Sequence, residues 1–168
     1  MDTFFEQIVA IKKTGKTVLT VILIWLGALV LSGLTFFIPF IRNFALLAIL
    51  GIGYGAFKLS STFNIEYEYI ITNGIMDVDK IINKSSRKRV LSFDLTGATR
   101  LEKYNPALLN NINPKSVNFI CNETDPNAYF MVIDGDKESS YIVFAPDERL
   151  QSAIVKYVPK FVSNSAFK

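Results

Sequence analysis

Histidine is absent from all 168 residues, and Cys121 is the only cysteine. Without an imidazole there is no Ser-His-Asp or Cys-His nucleophile and base, and no histidine-ligated metal. A single thiol forms no intramolecular disulfide, so nothing points to an oxidising compartment. Also missing are a glycine-rich phosphate loop, the paired-cysteine spacing of a zinc site, and a basic-aromatic nucleic-acid motif. The surplus of positive charge is small and confined. Residues 1–58 carry Lys12, Lys13, Lys16, Arg42 and Lys58 against Asp2 and Glu6, whereas residues 59–168 balance 13 basic against 13 acidic side chains. The pI of 8.9 therefore reports the N-terminal flanks and no nucleic-acid-binding face. No catalytic constellation, cofactor, metal site or small-molecule substrate is indicated, and the chain is expected not to be an enzyme.

What the chain has in excess is apolar length. Half its residues are hydrophobic and the mean hydropathy is +0.29. Thr17 to Ile41 runs 25 residues without a charge, and Asn43 to Phe57 adds 15 more. A hydrocarbon core of about 30 Å needs roughly 20 apolar residues in helical form. The first run exceeds that alone, and the second does so if Lys58 snorkels and the span continues to Phe63. The first run is too long for a secretory leader and lacks a convincing cleavage site. Two transmembrane helices are expected, over 17–38 and 44–63, with Pro39, Arg42 and Asn43 in the turn. Lys12, Lys13 and Lys16 outnumber Arg42, so both termini are expected in the cytoplasm of a multi-pass cell-membrane protein. Residues 1–16 read as a cytoplasmic segment in which Thr3 and Glu6 fit a capping box. There Phe4, Phe5, Ile8 and Val9 share one face of a short interfacial helix, unless the segment merely extends the first span. Gly51, Gly53 and Gly55 are small residues for helix packing in the second span, first of all against the chain's own first helix.

Beyond Phe63 the apolar period changes to two. Ile65, Tyr67, Tyr69 and Ile71 alternate with Glu66 and Glu68, and Asn73-Gly74 follows as a hairpin turn. Further strands are expected at about 75–82, 87–95, 98–104, 117–122, 128–134 and 139–145, with a loop at 105–115. A helix over 147–161 has an acidic first turn and an apolar stripe of Leu150, Ile154, Tyr157, Val158 and Phe161. The fold class is α+β: a helical hairpin, then a seven-stranded bent sheet or partial barrel over 64–162 capped by the helix, then a tail at 163–168.

Two stretches carry a resemblance. Tyr67-Glu-Tyr-Ile-Ile-Thr-Asn-Gly74 with Ile-Met-Asp-Val-Asp-Lys-Ile81 is similar to the first hairpin of bacterial pleckstrin-homology-like (PH-like) domains. Phe144-Ala-Pro-Asp-Glu-Arg-Leu150 resembles their last strand and the start of their closing helix. The whole chain looks like an uncharacterised family of small two-span bacterial membrane proteins carrying this domain. That resemblance implies a fold and no assigned activity.

The densest basic cluster is Lys80, Lys84, Arg87, Lys88 and Arg89. It offers contact with anionic lipid, since each cation near such a surface contributes about 1 kcal/mol; the competing reading is a solvated turn balanced by Asp77, Asp79 and Asp94. The acidic alternation Asp134 to Glu138 lacks the length of a calcium loop and reads as a tight hairpin. Cys121 reads as a buried small hydrophobe, and Trp25 as a helix-packing residue off the interfacial belt. The expected role is a membrane-anchored binding or scaffold module, its partner the lipid bilayer itself or an unknown protein. The alternative is an accessory subunit of a transporter or cell-envelope complex assembled through the helical hairpin.

Overall fold

The computed structural model describes residues 4–110, 112–113, 116–134, 139–164 and 166–167. The chain forms two units: Lys12–Ile65 with Ile82–Ser86, and Met1–Ile11 with Glu66–Ile81 and Arg87–Lys168.

The first unit is mainly helical. Here α1 (Gly15–Leu34) packs on α3 (Ala45–Ser61), and the short α2 (Pro39–Arg42) lies in their connection. Thr14 caps α1, its side chain accepting from Thr17 N at 3.3 Å. The helix ends at Leu34 rather than at the expected residue 38, because a proline disfavours helical backbone in the residue before it. Ile38 is accordingly extended, and Pro39 opens α2 where its missing N–H is not needed. No residue within α1 is buried, and α3 buries only Ala45, Ala56 and Ser61. At 20 residues α1 is about 30 Å long. Among the described residues it is the one helix long and apolar enough to cross a membrane by length and composition. The 17-residue α3 is apolar but shorter.

The second unit is built on eight strands, not seven, among the described residues. They are β1 (Phe4–Ala10), β2 (Ile65–Thr72), β3 (Ile75–Ile82), β4 (Ser86–Asp94), β5 (Ala98–Lys103), β6 (Val117–Phe119), β7 (Tyr129–Asp134) and β8 (Ser139–Phe144). They form two four-stranded sheets, ordered β1-β2-β3-β4 and β5-β7-β8-β6, so no single barrel closes. In the second sheet β6 runs parallel to β8, while β5 and β8 flank β7 antiparallel.

The added strand corrects the interfacial-helix expectation. Phe5, Gln7 and Val9 are half-buried while Phe4, Glu6, Ile8 and Ala10 are exposed, which is period two. All seven residues pair antiparallel with β2, from Phe4 opposite Thr72 to Ala10 opposite Glu66. The edge of β2 supplies the backbone partners that a lone amphipathic segment lacks. Thr3 of the expected capping box lies outside the described residues, as do 135–138 of the Asp134–Glu138 hairpin.

Asn73 (φ 51°) and Gly74 (φ 90°) turn β2 into β3 as their sequence predicts. The main core joins Tyr69 and Ile71 of β2, Met76 and Val78 of β3, Leu101, Met131, Ile142 and Phe144 of the second sheet, and Leu150 and Ile154. Within it the Tyr69 hydroxyl donates to Ile120 O at 2.6 Å, fastening the two sheets together. A second cluster lies around Phe130, Val143 and Cys121, with Leu108, Leu109 and Ile112 of the expected loop packed against it. The expected helix over 147–161 is two helices, α4 (Glu148–Tyr157) and α5 (Lys160–Ser163). Asp147 caps α4 by accepting from Leu150 N at 2.8 Å. Pro159 then forces Val158 into extended backbone, so Phe161 leaves the stripe, exposed, and Val162 is buried in its place.

Candidate functional site

The basic cluster sits on the hairpin of β3 and β4, and strand alternation sorts it. Arg87 and Arg89 share one face of β4, so Lys88 belongs to the other. On β3, Asp77 and Asp79 share a face that Lys80 does not, Lys80 being in phase with the core residues Met76 and Val78. Lys84 stands in the turn.

Both arginines are engaged. Arg87 meets Glu68 of β2 with two nitrogens, Nη1 at 2.8 Å from Oε2 and Nη2 donating to Oε1 at 3.0 Å. Arg89 donates from Nε to Asp79 at 2.8 Å and from Nη1 to Asp77 at 2.6 Å, and Ser92 Oγ adds a 2.6 Å bond to Asp77. The arginine side chains keep about half their surface, 56% and 50%, whereas the Glu68 side chain retains 1% and that of Asp79 8%. This is an ionic layer across β2, β3 and β4, with exposed cations lying over buried anions. Its arginines are therefore paired cations, and Asp77 and Asp79 of the balancing set expected from the sequence are the partners of Arg89. The signal missed was the acidic period of β2 and β3, with Glu68, Asp77 and Asp79 at alternate positions facing the basic period of β4.

Glu68 is the unusual member. Burial pushes its carboxyl above the ordinary value, and hydrogen-bond contact with the Glu6 carboxyl adds to the rise, while Arg87 opposes both. Glu6 reaches it from β1, because Ile8 faces Glu68 and Glu6 lies one pleat away on the same face.

Among the described residues no carboxylate pairs with Lys80, Lys84 or Lys88. Lys84 and Lys88 are exposed and Lys80 is half-buried. Lys84 has φ 55°, next to Asn83 at 52°. A left-handed backbone costs an ordinary side chain about 1–2 kcal/mol, so a lysine is held where glycine would fit better.

The glycines of α3 do not form one packing face. Successive helical residues are about 100° apart, so Gly53 lies roughly 160° around the helix from Gly51 and Gly55. Gly53 lines an apolar groove with Trp25, Leu26 and Leu29, and Gly55 a second groove with Leu23, Gly27 and Leu31. A Cβ built on any of the three meets nothing within 4 Å.

Cys121 is buried in the second cluster, and burial pushes its thiol up to about 12, an unreactive state. Among the described residues no group of three or more histidine, cysteine, aspartate or glutamate side chains could hold a metal ion. Gln7 of β1 has a positioning task. Its amide donates to Ala145 O at 3.0 Å and accepts from Asp147 N at 2.9 Å, tying β1 to the corner between β8 and α4.

No curated protein and no solved structure matches the chain. The family model for the bacterial PH-like domain (DUF6106) matches residues 1–164. That span takes in β1, the apolar helices and both sheets as one unbroken match, and the chain belongs to this family of bacterial PH-like domains.

Proposed function

We propose that the protein is a non-enzymatic, membrane-anchored module in which a two-span hairpin holds the PH-like domain at the cytoplasmic leaflet. Lys80, Lys84 and Lys88 make contact there with anionic lipid. One observation carries this reading: Ala10 pairs with Glu66, so the apolar segment 11–65 departs from and rejoins neighbouring strands of one sheet. A segment tied at both ends in this way crosses a bilayer an even number of times. α1 supplies one crossing, and α3 supplies the other if Lys58 snorkels, since 17 residues cover about 25 Å of a roughly 30 Å core. Lys12, Lys13 and Lys16 at the start of α1, against Arg42 alone in the turn, orient both termini to the cytoplasm.

Three lysines at an anionic surface contribute about 3 kcal/mol together, enough to orient a domain already tethered there. A lysine in left-handed backbone at position 84, where glycine would be unstrained, supports a charge requirement over a merely solvated turn. The test is amine acylation of the full chain in vesicles of neutral lipid or of neutral lipid with phosphatidylglycerol, read at Lys84 and Lys88 by mass spectrometry. Protection in the anionic vesicles alone, lost at high salt, is the expected result. Equal acylation in both would remove the leaflet contact.

The open glycines favour a second reading, an accessory subunit whose Gly51 and Gly55 face a helix of another membrane protein. A partner that survives detergent and is lost on Gly51→Leu with Gly55→Leu would support it.

A further inference from the structure

We propose that the Glu68–Arg87 pair is an acid-sensitive latch on the lipid contact: protonation of Glu68 removes the anion that holds Arg87, and the guanidinium then joins Lys84 of the turn at the anionic leaflet. This rests on the leaflet-contact reading above and names its regulation.

The asymmetry of the pair carries the argument. Glu68 retains 1% of its surface and Arg87 56%, so one partner is locked in the sheet while the other reaches water from where it stands. Breaking such a pair from the arginine side leaves a buried, uncompensated carboxylate, which is costly. Breaking it by protonating Glu68 leaves a neutral acid in the sheet and an arginine already half in solvent. Only the second route is cheap, and it is a proton that opens it.

The surroundings set the direction. The charged groups on this face are Glu6 of β1, Glu66 beside Glu68 on β2, Asp77 and Asp79 of β3, and Arg87 and Arg89 of β4. Arg89 is committed to Asp77 and Asp79, which leaves Arg87 as the cation for Glu68 and the nearby Glu6. Glu6 lies one pleat from Glu68 on the same face, so a like charge stands near the carboxyl that Arg87 holds. Burial and Glu6 both raise the affinity of Glu68 for that proton, so it binds at a higher pH than on a free glutamate. The sign follows. Above the raised value the latch is closed, and as pH falls through it the hairpin loses one negative charge and releases one guanidinium.

The test uses the full chain in nanodiscs, with a fluorophore on Ser85→Cys and a quencher on the lipid headgroups; buried Cys121 does not compete for the label. Neutral discs and discs containing phosphatidylglycerol are compared at pH 7.5 and at pH 4.0, below the ordinary glutamate value. The expected result is quenching in anionic discs that strengthens about fivefold, as a bound-to-free ratio, on acidification, the effect of one added cation. Glu68→Gln, which mimics the protonated acid, should show the strengthened value at both pH values. Adding Arg87→Gln to it should return quenching to the neutral-pH level of the unsubstituted protein. If anionic quenching is present but indifferent to pH and to Glu68→Gln, the latch is wrong and the leaflet contact stands. Indistinguishable quenching in neutral and anionic discs at both pH values would overturn the leaflet contact itself, and the latch with it.

Discussion

The helical and β units solve the same problem in opposite ways. Most of the exposed large hydrophobic residues among those described lie between Val18 and Leu59, with Leu29 at 71% and Phe37 at 82%. In the β unit Tyr69, Ile71, Met76, Phe130 and Phe144 have no exposure at all. Water drives apolar surface out of contact with itself, so the two patterns of exposure fit the two solvents of the membrane-anchored reading proposed above. The β unit buries its large apolar side chains within itself. The helical unit has an apolar exterior and little interior, the arrangement a hydrocarbon environment satisfies.

That comparison can be broken most directly by exchanging the helical segment for a turn. Replacing residues 12–64 with a short Gly/Ser linker should give a soluble chain that keeps its near-ultraviolet spectrum and no longer sediments with membranes. The β1–β2 register brings Ala10 opposite Glu66, so a tight connection suffices. A linker variant that aggregates or stays with membranes would show that the two units do not divide as their exposures indicate.

A paired truncation sharpens the same contrast. Phe144→Ala empties a site with no exposure, in edge contact with the Tyr69 ring at 6.2 Å, and should cost the β unit about 3–5 kcal/mol. Leu46→Ala in α3, where the leucine is 75% exposed, should leave the unfolding midpoint of the β unit unchanged. Both are read in one denaturant series with membrane content held fixed, and equal losses would contradict the two-solvent account.

The two turns of the first sheet allow finer comparison. Gly74→Ala places a Cβ at φ 90° and 3.0 Å from Tyr157 Cδ1, and should destabilise by about 1–2 kcal/mol in the same measurement. Lys84→Gly relieves left-handed backbone and should stabilise by about 0.5–1 kcal/mol. The leaflet reading adds that Lys84→Gly weakens protection of Lys88 in anionic vesicles even as the fold gains. A gain in stability with no loss of protection would mark Lys84 as a turn residue only.

Long, regular patterns made most of this architecture legible in the sequence. The uncharged run from Thr17 marks α1, the Tyr67–Ile71 alternation marks β2, Asn73-Gly74 marks its hairpin, and the acidic turn before Leu150 marks α4. What escaped depends on partners far along the chain. Phe4–Ala10 satisfies both helical and strand spacing over so few residues, and β2, more than fifty residues later, decides between them. Pro159 was visible, but the apolar stripe on either side of it outweighed a local signal that breaks the helix. The basic cluster was legible as composition only. That Arg87 belongs to Glu68 and Arg89 to Asp77 and Asp79 is a matter of strand register, which a one-residue slip would reverse.

The bracketing of residues 11–65 by β1 and β2 also orders events during synthesis. β1 is made before its partner strand, which follows only after the apolar segment, a delay of about 3–10 s at ordinary elongation rates. Through that interval β1 has no sheet to join, and Gln7 cannot reach Ala145 until the corner after β8 has been made. β1 is thus made early and completed late, and a finished first sheet reports that the whole apolar segment between its strands has already been made.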